Sequence, residues 1–152
     1  MMKKTGLLAL IFFLTAFADN NIVDKARIYY SKAADDKSAC NKIIKELEEN
    51  KNPSALLMAY LGGYKTIWAN HVLSPIAKLK TFKEGKKLID EAVERESNNI
   101  EIRFIRLSVQ KNAPAFLGYK SHVEEDEEFI RKNRNAVNSE IISENIDAIL
   151  KQ

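Results

Sequence analysis

Met58–His71, MAYLGGYKTIWANH, sets two adjacent glycines inside a segment whose apolar residues otherwise recur at helical intervals. That pair constrains the fold more than any other feature of the chain. In a helix interior each glycine costs about 1 kcal/mol relative to alanine, so a helix here needs a neighbour close enough to offset the loss. Stepping the residues at about 100° each places Ala55, Ala59, Gly62, Thr66 and Ala69 on one face, with Gly63 near its edge. Leu57, Tyr60, Tyr64, Trp68 and His71 fall on the opposite face. A face of small side chains lets another helix axis approach closely, and the dispersion attraction between the two surfaces then offsets the glycine cost. A rod with a close-approach side and a bulky side is a central rod.

IEIRFIRLSVQ, residues 100–110, gives a second such wheel: Ile100, Phe104 and Leu107 share one face, and Ile102, Ile105 and Val109 the other. A helix apolar on two sides is covered on both. Arg103, Arg106 and Gln110 form a polar stripe between those faces, with Glu101 and Ser108 opposite. Two doubly covered helices imply stacked layers, as in an α-solenoid or a bundle with central helices. The remaining apolar spacing is three and four rather than alternating, so the fold class is all-α, built of layered antiparallel helices.

Local punctuation divides the chain. Helices are predicted over about 22–34 and 36–50, then from the Asn52-Pro53 and Ser74-Pro75 cap-and-proline pairs. A capping box at Thr81-x-x-Glu84 restarts or continues the segment ending near Glu96. The next helix covers 100–112 before Pro114, and Ser121-x-x-Glu124 is a further capping box opening a helix to about Asn135. Asn138 or Ser139 begins the last one.

The first residues carry a different signal: a basic start at MMKK, the apolar run GLLALIFFL, and the small-x-small pattern Ala16-Phe17-Ala18. These read as a removable signal peptide, residues 1–18, since a membrane span needs about 20 apolar residues and this run is shorter. The mature chain, residues 19–152, is then a single helical domain without a membrane span, placed in the periplasm or secreted. Lys3 and Lys4 belong to the leader, so the 24 basic residues become 22 against 21 acidic ones, a formal charge of +1. No basic cluster larger than pairs such as Lys86-Lys87 remains, which argues against nucleic acid as a partner. The single cysteine, Cys40, shares an apolar helical face with Ile43, Ile44 and Leu47 and reads as a buried hydrophobe.

GKKLIDEAVERESNN, residues 85–99, resembles the second helix of a tetratricopeptide repeat. That family sets a small residue, a large apolar one four on, an alanine three further, and then a helix-ending proline. Gly85, Ile89 and Ala92 fill the first three places, and Ser97 stands where the proline is usual, before an Asn-Asn turn. The resemblance covers about 15 residues; one period of about 34 residues to either side lie Lys51 and Tyr119, which form no second copy. The whole chain is also similar to small exported helical proteins of unknown function found in Bacteroidetes. These resemblances imply export, a short helical stack, and no particular activity.

Four groups of residues are candidates for contact with a partner. Tyr60, Tyr64, Trp68 and His71 either line a groove or belong to the core. Arg103 and Arg106, one turn apart, either receive a carboxylate or phosphate or pair with the acidic run of the next helix. That run, Glu124–Glu128, lacks the interleaved glycine turn of a calcium loop, and acids in a first helical turn are explained by the helix dipole. Phe116 and Tyr119, in the apolar loop APAFLGYK, either tuck into the stack or form a contact surface. No catalytic residues, metal ligands or cofactor site are assigned. The function expected is an exported helical module binding a protein segment or peptide in the cell envelope. The rivals are an envelope carrier of a small apolar molecule held against Tyr64 and Trp68, and a small enzyme using His71 or His122 with a carboxylate.

Overall fold

The computed structural model describes residues 20–152. The predicted signal peptide, residues 1–18, lies outside the described residues. Helices occupy 20–30 (α1), Lys37–Glu48 (α2), Ala55–His71 (α3), Pro75–Arg95 (α4), Ile100–Asn112 (α5), Val123–Lys132 (α6) and Glu140–Leu150 (α7). Two 3₁₀ turns, Ala115–Leu117 and Arg134–Ala136, lie in the later connections. Among the described residues there is no strand, and the fold is all-α.

Most of these helices start on a side chain that satisfies their own free amides. Asp36, Ser54, Ser74, Asn99 and Ser139 accept from backbone N–H groups two or three residues on, capping α2, α3, α4, α5 and α7. Pro75 occupies the first turn of α4, where a missing N–H is harmless. The Thr81-x-x-Glu84 pattern starts nothing: α4 runs through it unbroken. Ser121 does not cap α6 either. That helix begins after His122 with no side-chain cap, and the His122 amide instead donates to Gln110 Oε1 of α5 at 2.9 Å. That bond ties the start of α6 to α5. The first helix is also shorter than the predicted 22–34, because residues 31–35 form turns.

Two helices lie at the centre. α3 packs against α2, α4 and α5, and α5 against α3, α4, α6 and α7. The reason for the α3–α4 contact is the glycine face. A Cβ added at Gly62 would sit 2.5 Å from the Gly85 carbonyl oxygen, and one added at Gly85 would sit 2.5 Å from the Gly62 oxygen. The two backbones therefore touch at a point where no side chain fits. Gly63 serves a different neighbour: a Cβ there would meet the Tyr30 hydroxyl of α1 at 2.6 Å and Ile105 of α5 at 3.1 Å. The adjacent glycines thus admit helices on two sides of α3, which is why both are present.

The bulky face of α3 meets α1. Tyr30 stands edge-on to Tyr60, Tyr64 and Phe104, with ring centroids 5.7, 5.5 and 6.1 Å away. The Tyr30 hydroxyl is held by Ser108 at 2.9 Å, and the Tyr64 hydroxyl donates to the Ala26 carbonyl at 2.8 Å. Cys40 is fully buried with its Sγ 3.7 Å from the Tyr64 carbonyl; burial pushes the thiol up to about 12.

Candidate functional site

Most of the polar residues singled out from sequence are brought into the interior, where they hold helices together. Arg27 of α1 grips both Glu101 oxygens at 2.8 and 2.7 Å, and the Tyr60 hydroxyl donates to the same carboxylate at 2.5 Å. Burial, and then the Glu101 charge, raise the Tyr60 hydroxyl well above the usual phenol range, so it stays protonated as a donor. Tyr60 and Tyr64 have no exposed surface. They line no groove and belong to the core. Trp68 is half-buried beside His71, with the Lys37 ammonium 5.6 Å over its ring, and His71 Nε2 lies 2.9 Å from the Ala33 carbonyl. The aromatic face of α3 is thus covered by α1, the turn after it and the start of α2.

Arg103 and Arg106 are also buried, at 8% and 5% exposure, and their partner is the fully buried Asp126 of α6. Arg106 binds Asp126 with two parallel bonds of 2.7 Å, Arg103 adds one of 2.9 Å, and the Gln110 amide a fourth of 3.1 Å. Glu125, at the rim, accepts from Arg103 at 2.5 Å and lies 2.9 Å from His122 Nδ1. Its carboxyl is lowered to about 2, chiefly by the Arg103 bond and then by His122. Glu127 and Glu128 of the acidic run are likewise engaged, with Lys111 and Lys132. The stripe and the run meet each other, leaving no open receptor for a carboxylate or phosphate. Among the described residues no three His, Cys, Asp or Glu side chains gather as a metal set.

An accessible hollow lies elsewhere, between the C-terminal ends of α3 and α5, the start of α4 and the 114–117 loop. Its volume is about 400 Å³. Leu79, Phe82, Val109 and Leu117 supply apolar wall, while Thr66, Asn70, Asn112 and Lys78 supply a few polar groups. Phe116, one of the sequence candidates, stands at its edge 86% exposed. The other loop candidate, Tyr119, does the opposite: it is buried against Phe82 and donates to Asp90 at 2.7 Å. The loop APAFLGYK is therefore pinned by one aromatic and presents another. Gly118 makes this possible with φ of 65°, the left-handed conformation that turns the chain between them.

Close in sequence to this hollow the surface is unusually apolar. Leu73 is 97% and Ile76 83% exposed, in the short α3–α4 connection and the first turn of α4. A second, more open hollow shares Leu79, Phe82, Phe116 and Leu117 with the first and continues along α4 past the lysines Lys83, Lys86 and Lys87 and the carboxylates Asp90, Glu91 and Glu94. Neither His71 nor His122 lines either hollow. Sequence reasoning missed Leu73, Ile76, Leu79 and Phe82. The signal was present in PIAKLKTF, where apolar residues fall three apart among lysines, a pattern equally suited to a covered face.

Comparison with known proteins finds no family model, no curated protein and no solved structure that matches this chain.

Proposed function

We propose that this protein is a non-enzymatic binding module, a tetratricopeptide-like helical stack whose groove between α3, α4, α5 and the 114–117 loop accepts an apolar segment of a protein or peptide. On the pattern of Met1–Ala18 it acts outside the cytoplasm, in the periplasm or after secretion. The observation that carries the reading is an apolar concavity with Phe116 almost fully exposed at its edge, and with Leu73 and Ile76, also almost fully exposed, on either side in sequence of its lining residue Pro75. Burying such side chains is worth about 1.5–3 kcal/mol each, and the fold leaves that energy unused. The polar groups of the hollow are amides, a hydroxyl and one lysine, which suit the orientation of a bound chain.

A small apolar molecule is the rival occupant, favoured by a volume within the range of small-ligand sites, roughly 300–1,000 Å³. Native mass spectrometry of the protein purified from its own source separates the two. A co-purifying polypeptide that is lost in Leu79→Asp, while the melting curve is retained, supports the module. A bound mass of lipid size, lost in the same variant, replaces it with the carrier.

A further inference from the structure

The lysines beside the groove define the charge of its partner; this inference rests on the groove reading above and deepens it. From Leu73 to Leu88 the chain has five lysines against one carboxylate, Glu84, although the sequence outside the leader is nearly neutral overall. Local pairs account for part of this excess: Lys86 binds Asp90 at 2.8 Å, Lys87 lies 3.7 Å from Glu91, and Glu84 is approached by Lys65 at 3.6 Å. Lys78, Lys80 and Lys83 are exposed and make no ion pair among the described residues. Their placement is ordered. On the helical wheel of α4, Lys78 and Lys83 fall on either side of Phe82 and Leu79. Lys78 borders the apolar hollow and Lys83 the one that continues it.

We infer that the groove takes an acidic amphipathic polypeptide segment, whose apolar side chains enter beside Leu79, Phe82 and Phe116 while its carboxylates meet Lys78 and Lys83. Two flanking ammonium groups steer such a segment and set its register, and they oppose a basic one. An anionic bilayer offers the same charge with a different shape. A flat lipid surface leaves a concavity of about 400 Å³ unfilled, which a polypeptide side chain can enter.

The test uses two synthetic amphipathic peptides with one shared Leu/Phe face, the polar face being all Glu in one and all Lys in the other. Binding to the full protein is followed by fluorescence anisotropy at about 0.05 M and about 0.5 M salt, where screening differs several-fold. The Glu peptide is expected to bind at least about tenfold tighter at low salt, with the gap closing at high salt. K78E/K83E, which alters exposed positions only, is expected to reverse the preference without changing the circular dichroism melt. Equal binding of both peptides overturns the acidic partner and leaves the groove standing. Binding of neither overturns both. Co-sedimentation with phosphatidylglycerol vesicles, but not with phosphatidylcholine vesicles, in place of peptide binding overturns the proposal in favour of a membrane surface.

Discussion

At Gly62 the choice of residue is decided by two opposed energies. Alanine there would gain about 1 kcal/mol in helix propensity, but its Cβ would lie 2.5 Å from the Gly85 carbonyl oxygen, a backbone atom that cannot rotate away. Forcing the helices apart costs roughly 1–3 kcal/mol, so Gly62→Ala should lose stability in urea titration despite the better helix former. A gain would show that α3 and α4 do not meet there. Gly118→Ala makes a useful contrast, because nothing lies within 4 Å and its φ is 65°; the loss expected is the left-handed strain alone, about 1–2 kcal/mol. Glu125 supplies a pH dependence. Its folded-state carboxyl is depressed to about 2 from an ordinary 4.5, so the stabilisation is fully present above 4.5 and is lost as pH falls from there toward 2. More than half of the side chain is exposed, so the effect is small and salt-sensitive. Acid unfolding of Glu125→Gln should show a shallower slope across that window and a smaller response to salt.

The helices themselves were largely legible, because their signals are local. The Ser74-Pro75 pair, Ser139 and the three-and-four spacing placed the starts of α4, α5 and α7 close to those observed, whereas Asn52-Pro53 did not open α3: Ser54 caps that helix and Pro53 lies outside it. The Ser121 capping box failed: α6 starts one residue later, after His122, whose amide is held by Gln110 of α5, a tertiary contact that no sequence window around Ser121 contains. What joins α5 to α6 is the cluster around Asp126, where a fully buried carboxylate is shared by two guanidinium groups and an amide. Removing one member leaves buried charge without compensation. Asp126→Ala should therefore lose roughly 3–5 kcal/mol in chemical denaturation. The double variant R106A/D126A should lose less than the two single losses summed, by about 0.5–3 kcal/mol, since one interaction is then counted once. Additive losses would mean that the pair does not act as a unit.

Across the whole molecule, apolar residues fall into two populations that look alike in the sequence. Phe82 and Phe116 are both phenylalanines beside a lysine- or alanine-containing turn, yet the first is 7% and the second 86% exposed. Phe82→Ala should cost about 3–5 kcal/mol, because it empties a space between α4 and Tyr119. Ile76→Ser and Phe116→Ser should stay within about 0.5 kcal/mol of the parent, since neither side chain is packed. Equivalent losses for all three would place Ile76 and Phe116 in the core and remove the basis of the groove. The sequence by itself determined that the chain is helical, that α3 and α5 are central, and that a small-residue face admits a close neighbour. All three follow from periodicity and side-chain size, which are local quantities. Only the tertiary structure decided which helix meets Gly62, that the aromatic face of α3 is sealed by α1, that Arg103 and Arg106 are consumed by Asp126, and that the start of α4 stays uncovered. Those outcomes depend on which surfaces face one another across long stretches of chain, and the composition of a single surface does not encode its occupant.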